Sequence, residues 1–282
     1  MSPGAIALHG GGEFLPGDEA FLRACLEAAR PAAAARAAAG APARATAGAP
    51  ARAAGGGPAW ADGLTGADPA ALRIAIVPAA AAGQRPDLAA GHGVAAFARV
   101  AAEAGIPARP EAVLVVDAAS AASGTLAGVL AGADLIHLPG GDPGRLLAIL
   151  DSSAAWRAIL AAVARGAVLA GASAGAMVLA AWTWTPGGWR QGLGLVPGVV
   201  VVPHAERVAR TGWAGTFGGR VPAAAEPIGR LGLDERTGVL SEVGADGRRR
   251  WRVEGMGLAH WSPDAQVPPV HASAGDLLPL PA

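Results

Sequence analysis

The sequence predicts an α/β fold in three layers, with a mostly parallel central sheet covered by helices on both faces. Short apolar runs alternate with helix-compatible runs between residues 5 and 170, as they do when parallel strands are joined by helices. Glycine-rich loops follow three of the apolar runs, at 10–13, 139–142 and 171–175. In such sheets, reactive groups gather in the loops at the carboxyl ends of the strands. A chain of 282 residues is long enough to bury a large core.

The composition narrows the classes of protein to which the chain can belong. Lysine and arginine total 22, as do aspartate and glutamate, so the net charge is +0, and we expect neither a nucleic acid nor a membrane as partner. Hydrophobic residues make up 52% and charged residues 16%, which excludes disorder of the whole chain. With Cys25 as its single cysteine, the chain can form no intrachain disulfide and no thiol-rich metal site.

Residues 166–189 carry no charge, and a stretch of this length can cross a bilayer when it is apolar enough. It contains Ser173, Thr183 and Pro186 among many alanines and glycines, so we favour a buried strand followed by a packed helix. We expect no secretory signal, because no arginine precedes the short apolar run within residues 1–12. These features predict a cytoplasmic protein.

The first strand is predicted at residues 5–9 and the first helix at residues 20–29, where apolar side chains recur at helical spacing. From residue 31 to about residue 69 the chain is nearly all Ala, Pro, Gly and Arg, and the heptapeptide AGAPARA occurs twice. Such sequence has too few large apolar side chains to offset the entropy lost on ordering. We therefore predict a flexible surface insertion within a single α/β domain of residues 1–262.

Regular alternation resumes after this insertion. The predicted strands are residues 73–78, 112–116, 135–138 and 167–170, and the predicted helices are residues 88–104, 126–131, 145–150, 154–164 and 176–182. After residue 193 the pattern changes to shorter strands, at 199–202, 231–234, 238–240, 250–253 and 257–261. Several prolines beyond residue 262 predict a loosely packed tail over 263–282.

The sequence GASAG at 171–175 fits the pattern G-x-S-x-G, and it lies between a predicted strand and a predicted helix. In this context the serine is raised on a sharp turn that only small neighbours allow, and the following backbone N–H can bind an oxyanion. We therefore interpret Ser173 as a nucleophile. The alternative is a small-residue turn that merely permits close packing of the helix on the strand.

A nucleophilic serine needs a base and an acid that orients the base. His204 follows the β-branched run 199–202, and Glu235 follows the short apolar run 231–234, so both stand where functional side chains are placed. The chain could instead supply the order of the α/β-hydrolases, with Asp234 as the acid and His260 or His271 as the base. These residues leave two interpretations open, a Ser-His-Glu hydrolase and a Ser-Asp-His esterase, and a non-catalytic binding protein is a third.

The sequence PGGD at 139–142 is a second candidate for the site. Gly140 and Gly141 offer backbone N–H groups suited to an oxyanion that lies opposite the nucleophile. The alternative is an ordinary turn in which Asp142 caps the next helix before Pro143.

The triple glycine at 10–12 suggests a dinucleotide site, but the pattern G-x-G-x-x-G with a later acidic residue is absent from the sequence. We therefore expect no nucleotide cofactor. His9, His92 and His137 lack the spacing of metal ligands, so we expect them to make structural hydrogen bonds and predict no metal.

Six motifs together resemble one family. GGGE at 10–13, LPGGD at 138–142, GASAGA at 171–176, GLGLVPG at 192–198, the pair Pro203-His204 and GLDERT at 232–237 occur in the order seen in the S51 serine peptidases. That family includes the aspartyl dipeptidases and the cyanophycinases, and its fold is similar to that of the class I glutamine amidotransferases. A glutamine amidotransferase of this fold would need cysteine at position 173.

The resemblance implies a cofactor-free serine peptidase that cleaves a peptide or β-peptide amide in a small substrate. It implies the triad Ser173, His204 and Glu235, with Gly141 and Ala174 as oxyanion donors. Gly140, Asp142 and Arg207 would help to bind the substrate. Partners other than the small peptide or amide substrate are not implied, and a homodimer stays open.

Overall fold

The computed structural model describes residues 3–40, 68–211, 228–243, 249–264 and 266–281. The first part of the chain alternates strands and helices as predicted. In order it contains β1 (Ile6–His9), α1 (Glu19–Gly40), β2 (Leu72–Ile76), a 3₁₀ helix (Ala79–Ala81), α2 (Pro86–Glu103), β3 (Ala108–Ala112), α3 (Ala118–Ala122), α4 (Gly124–Ala131), β4 (Leu135–Leu138), α5 (Pro143–Leu150), α6 (Ala154–Ala164), β5 (Val168–Ala172) and α7 (Ala174–Leu179).

The second part is mostly strands. It contains β6 (Ala180–Thr185), β7 (Gly188–Gln191), β8 (Val196–Pro203), α8 (Ala205–Thr211), β9 (Gly229–Leu233), β10 (Thr237–Val243), β11 (Arg249–Gly255), β12 (Ala259–Ser262), β13 (Val270–Ala272) and β14 (Leu277–Leu278).

The main sheet has eight strands in the order β14-β11-β10-β1-β5-β4-β2-β3. Strands β1, β5, β4, β2 and β3 are mutually parallel, and β10, β11 and β14 extend the sheet in antiparallel pairs. His9 pairs with Ala172, and Leu138 pairs with Gly171. The carboxyl ends of β1, β4 and β5 therefore meet at one edge, and the loops that follow them come together there.

A second sheet of six strands has the order β13-β12-β9-β8-β6-β7. The sequence predicts short strands here but not that they form a separate sheet. Strands β8 and β9 are parallel, and Pro203 is in register with Leu233. The residues that follow these two strands, His204 and the pair Asp234 and Glu235, therefore lie at the same end of the second sheet.

Alternate residues of the main sheet belong to different core clusters, as expected when successive side chains point to opposite faces. Leu135 packs with α1 and α2 on one face, whereas Ile136 packs with α4–α7 and with the second sheet on the other. The α/β/α class predicted from the alternation is confirmed, and one outer layer also contains the second sheet.

The predicted insertion differs from the structure at its start. Helix α1 continues through Pro31 to Gly40, although a proline inside a helix removes a hydrogen bond and costs about 3 kcal/mol. Tertiary contacts hold this segment, because Ala32 and Ala33 are buried and Arg36 bonds to the buried Asp134. The rest of the predicted insertion, apart from residues 68 and 69, lies outside the described residues.

Other predicted boundaries also change. The helix predicted at 176–182 ends at Leu179, where β6 begins, and the third strand lies at Ala108–Ala112 rather than at 112–116. The tail predicted to be loosely packed supplies β13 and β14, which pair with β12 and β11. Leu278 and Leu280 are buried in the core, whereas most of the other described residues beyond residue 262 are exposed, so the tail is anchored at these positions.

Among the described residues, no single helix is long and apolar enough to span a bilayer, and only α5 and α6 together reach that length, bent by 88°. The uncharged stretch at 166–189 contains a buried strand and a packed helix, as predicted.

Candidate active site

Ser173 occupies the turn between β5 and α7. Its backbone φ is +48° and ψ is −110°, a strained conformation of the kind found at nucleophile elbows. The flanking glycines are sterically required, since a Cβ at Gly171 would lie 2.5 Å from the Gly175 carbonyl carbon and one at Gly175 would lie 2.1 Å from the Leu138 oxygen. The local sequence therefore builds a turn that presents the serine hydroxyl at the edge of the sheet.

His204 lies directly after β8, and its ring reaches the serine. Its Nε2 is 3.2 Å from Ser173 Oγ. The backbone holds it in place, because the His204 N–H donates to the Gly10 carbonyl at 2.8 Å. The strand that the sequence predicts before His204 thus places the imidazole of this residue, from the second sheet, beside the hydroxyl of Ser173.

Glu235 completes a continuous relay of side chains. Its Oε1 lies 2.8 Å from His204 Nδ1, so the ring donates Nδ1–H to the carboxylate and Nε2 is left to accept the Ser173 proton. Arg207 Nη2 contacts the same carboxylate oxygen at 2.6 Å. Arg207, expected to help bind substrate, therefore touches the acid of the relay.

The triple glycine after β1 packs closely against this relay. A Cβ at Gly11 would lie 2.2 Å from His204 Cε1, and one at Gly10 would lie 2.1 Å from the Asp234 carbonyl oxygen. The backbone of this loop also binds the opposite loop, because the Arg236 N–H donates to the Gly11 carbonyl at 2.8 Å. These glycines allow the second sheet to approach the main sheet closely enough for the relay to form.

The two glycines of PGGD differ in what their N–H groups can do. The Gly140 N–H donates to Glu13 Oε1 at 2.8 Å, so the structure does not support Gly140 as an oxyanion donor. Gly141 has a φ of +146°, and a Cβ there would lie 2.4 Å from the Ala80 oxygen. Among the described residues, no protein acceptor is found for the N–H of Gly141 or of Ala174.

Asp142 serves a structural purpose. Its Oδ1 accepts the Arg145 N–H at 3.0 Å and caps α5, with Pro143 as the first helical residue. Its own N–H donates to the Ala80 carbonyl at 2.9 Å. The capping interpretation of Asp142 is therefore confirmed, and the contacts of its side chain give no support to a role in substrate binding.

Comparison with known proteins identifies the family. The sequence profile of peptidase family S51 matches residues 69–215, just over half of the chain. The chain belongs to peptidase family S51. It is accordingly a serine-type peptidase, and its fold is similar to that of the class I glutamine amidotransferases. No curated protein matches the chain significantly.

A solved peptidase structure shares the fold of this S51 peptidase, and a second one matches it more weakly. A peptidase from an acI-B1 Actinobacterium superposes with a TM-score of 0.66 at 22% identity, covering 98% of this chain and 96% of that one. A putative peptidase E protein from Listeria monocytogenes EGD-e gives a TM-score of 0.42 at 12% identity, covering 85% of this chain and 94% of that one.

The residues of the alternative esterase triad form a separate cluster in this peptidase. His260 Nε2 lies 3.1 Å from Asp234 Oδ1. Its other nitrogen faces His271 Nδ1 at 2.6 Å, so both ring nitrogens of His260 have partners other than Ser173. Of the candidate histidines, His204 is the one that the structure places within hydrogen-bond distance of Ser173.

Three side chains at the relay are potential metal ligands. His204, Glu206 and Glu235 offer ligand atoms that lie within 4.8 Å of one another. All three groups are already engaged, since Glu235 binds both His204 and the Arg207 guanidinium, while Glu206 accepts the Glu235 N–H at 3.2 Å. The contacts favour an acid–base arrangement over a set of metal ligands.

Two buried residues, His9 and Asp18, contact the backbone of the loop that follows β1. His9 Nδ1 accepts the Gly11 N–H at 3.3 Å, a structural hydrogen bond of the kind predicted for His9, and His9 Nε2 makes a close contact of 2.8 Å with Asp18 Oδ1. Sequence analysis missed Asp18, which also accepts the Phe14 N–H at 2.9 Å. It also missed Glu13 as an individual residue, although its position directly after the triple glycine was a signal.

His137 differs from the prediction that it makes structural hydrogen bonds. It is fully buried beside Phe14 and Phe97, and neither ring nitrogen has a partner among the described residues. Burial lowers the pKa of His137 to about 3, with a smaller contribution from His9. This imidazole is therefore neutral at physiological pH. His92 is exposed on α2.

Proposed function

We propose that Ser173, His204 and Glu235 are the catalytic triad of this serine peptidase and that it cleaves a peptide or β-peptide amide in a small substrate such as a dipeptide. The observation that carries this proposal is the continuous relay from Ser173 Oγ to His204 Nε2 at 3.2 Å and from His204 Nδ1 to Glu235 Oε1 at 2.8 Å. Distances of this size let a proton move between nucleophile and base.

In this mechanism Ser173 Oγ attacks the amide carbonyl carbon while His204 Nε2 takes the hydroxyl proton. The N–H groups of Gly141 and Ala174 stabilise the negative oxygen of the tetrahedral intermediate. His204 then returns the proton to the leaving amine, and an acyl ester on Ser173 remains. Water attacks this ester with His204 again as base, and the carboxylic acid product leaves.

Glu13 acts as a positioning residue in this proposal. Its carboxylate holds the Gly140 N–H, and the Ala80 carbonyl holds the Asp142 N–H. The Gly141 N–H lies between these two anchored groups, so it is held ready for the oxyanion rather than reorganising during the reaction.

A groove next to the PGGD loop at 139–142 favours a small polar substrate. A groove of about 1100 Å³ opens beside Asp142, and its walls include Arg145, Trp182, Trp189 and Arg190. This volume lies just above the usual range for small-molecule sites, roughly 300 to 1,000 Å³, so the groove has room for a short peptide. Guanidinium groups and indole rings in one groove suit a short peptide that carries a carboxylate.

The test combines active-site labelling with a substrate screen. A fluorophosphonate probe should label the wild-type protein at Ser173 and should not label Ser173→Ala. Iodoacetamide should leave the native enzyme active, because Cys25 is fully buried and burial raises the pKa of its thiol. A panel of α-aspartyl and β-aspartyl dipeptides, with matched neutral dipeptides and simple esters, then identifies the bond cleaved.

The results separate the proposal from its alternatives. Hydrolysis of at least one dipeptide that disappears in both Ser173→Ala and His204→Ala supports the proposed function. Cleavage of esters alone, abolished by His260→Ala but not by His204→Ala, would establish the Ser-Asp-His esterase instead. A folded protein whose Ser173 never reacts with the probe would indicate a non-catalytic binding member of the family.

A further inference from the structure

A cross-strand pair of histidines lies outside the proposed triad, on the second sheet. His260 on β12 and His271 on β13 are directly opposite each other in the antiparallel register. Their Nδ1 atoms are 2.6 Å apart and the rings are nearly perpendicular, at 82°. His271 is exposed and His260 is partly exposed, so solvent and dissolved ions can reach the pair.

The carboxylate of Asp234 determines which nitrogen of His260, the less exposed histidine of the pair, carries the proton. Asp234 Oδ1 accepts Nε2–H of His260 at 3.1 Å, which leaves the lone pair of His260 Nδ1 directed at His271. Asp234 is itself held, because its Oδ2 accepts the Leu258 N–H at 3.0 Å. In metal sites, a carboxylate commonly accepts a hydrogen bond from the second nitrogen of a ligating histidine. This hydrogen bond orients the imidazole and raises its basicity.

We propose that His260 and His271 form a binding site for a divalent transition metal of the cupric type, with Asp234 as the outer carboxylate that orients His260. His271 would ligate through Nδ1 after its proton moves to Nε2, which faces away from the pair. Metal–nitrogen bonds of about 2.0 Å place adjacent nitrogens roughly 2.8 Å apart in a square-planar complex and roughly 3.3 Å apart in a tetrahedral one. In the metal-free pair the two nitrogens are hydrogen-bonded at 2.6 Å, so moving them apart by roughly 0.2 Å and turning the rings would bring them to the square-planar spacing, which Cu²⁺ prefers.

The affinity order of divalent metals also favours Cu²⁺ at this site. Imidazole nitrogens bind Cu²⁺ more tightly than Ni²⁺ or Zn²⁺ at a given site. The remaining positions around the ion would be filled by water. The site is independent of the proposed triad, since Ser173 and His204 contribute no ligand to it, and its test needs no measurement of activity.

The experiment is a titration of the full-length protein with Cu²⁺ at pH 7.5, followed by calorimetry and by electron paramagnetic resonance of the bound ion. We expect one tight site whose spectrum shows two imidazole nitrogens. His271→Gln should weaken binding at least ~10-fold and leave one imidazole nitrogen or none, because each ligand is essential to a two-histidine site. Asp234→Asn should weaken binding by ~10- to 100-fold while both imidazole nitrogens remain bound, as loss of an outer carboxylate does elsewhere.

His92→Gln is the matched control, because His92 is an exposed histidine on a distant element, α2, and it should leave the affinity unchanged. The melting temperature without metal shows whether each variant folds, and Cu²⁺ should raise it for wild type but not for His271→Gln. The proposal is overturned if His271→Gln folds and binds Cu²⁺ with wild-type affinity, or if the wild-type spectrum shows a single imidazole nitrogen.

Discussion

The carboxylate of Glu13 accepts the backbone N–H of Gly140 at 2.8 Å, joining two loops that are 127 residues apart in the sequence. The contact lies beside the nucleophile, because a Cβ at Gly140 would come within 2.8 Å of Glu13 Oε1 and 3.2 Å of Ser173 Cβ. Glu13 therefore links the loop after β1 to the loop that carries the proposed oxyanion donor, and it leaves no room for a side chain at position 140.

Glu13→Ala should lower kcat by ~10- to 100-fold and change KM by less than about threefold, since a displaced oxyanion donor weakens binding of the transition state more than of the substrate. Glu13→Gln keeps an oxygen that can accept the Gly140 N–H, so it should retain most of the activity. Steady-state kinetics on the best dipeptide gives both values. A rise in KM at unchanged kcat in Glu13→Ala would instead assign Glu13 to substrate binding.

Ser173→Ala and His204→Ala should each abolish nearly all hydrolysis, and the double variant should be no worse, because members of a triad act as a unit. Glu235→Gln should lower kcat/KM by ~10²- to 10⁴-fold, since the amide supports the imidazolium less well. Asp234→Asn is the adjacent control and should stay within a few-fold of wild type, because its carboxylate binds His260. If Asp234→Asn is inactive while Glu235→Gln is active, the acid is misassigned by one residue.

His137 should make the protein sensitive to acid. Its folded-state pKa is lowered by burial to about 3 from an ordinary value of 6.5, so between these two pH values the unfolded chain binds a proton that the folded protein excludes. Stability is therefore lost as the pH falls below 6.5, by about 2 kcal/mol at pH 5. Urea unfolding at pH 7.5 and at pH 5 measures the loss of stability between the two pH values. This loss should be about 2 kcal/mol smaller in His137→Leu than in wild type. The exposed control His92→Gln should follow wild type, and equal losses in all three proteins would contradict the assignment.

Arg36 should contribute to stability although it lies in alanine-rich, low-complexity sequence. Its Nη2 bonds to Asp134 at 2.8 Å, and Asp134 is fully buried. Arg36→Ala leaves that carboxylate with the Arg73 backbone N–H at 3.0 Å and a weaker contact to Arg165 at 3.9 Å, so the charge loses its close cationic partner and we expect a loss of about 3 kcal/mol in the free energy of unfolding. Arg99→Ala, which breaks only exposed ion pairs, should cost at most about 1 kcal/mol.

The contact between Arg36 and Asp134 also changes the effect that we expect from a deletion. Removing residues 33–66 would be tolerated if the whole stretch were a solvated loop, since closing a loop depends only weakly on its length. The deletion removes Arg36 and the buried Ala33, so we expect it to lower the melting temperature. An unchanged melting temperature would show that the contacts of α1 beyond residue 32 are dispensable.

Much of the fold and the nucleophile could be predicted from local sequence. Alternating apolar runs define the parallel strands, and GASAG needs only its own small residues and the preceding strand to form the elbow at Ser173. The positions of His204 and Glu235 after apolar strands could be predicted in the same way. What local sequence left open was which histidine and which acid belong to Ser173, since two sets of partners were available.

Tertiary structure decided between those sets. Asp234 and Glu235 are neighbours that directly follow β9, yet one carboxylate binds His260 and the other binds His204, because the chain enters a turn at Glu235. The parallel pairing of β8 with β9 then brings His204 beside Glu235, and the close approach at Gly11 brings the ring to Ser173. Pro31 follows the same principle, since contacts distant in sequence keep it inside α1 against its local preference. Such contacts depend on which strands pair and which faces pack, and no short stretch of sequence encodes them.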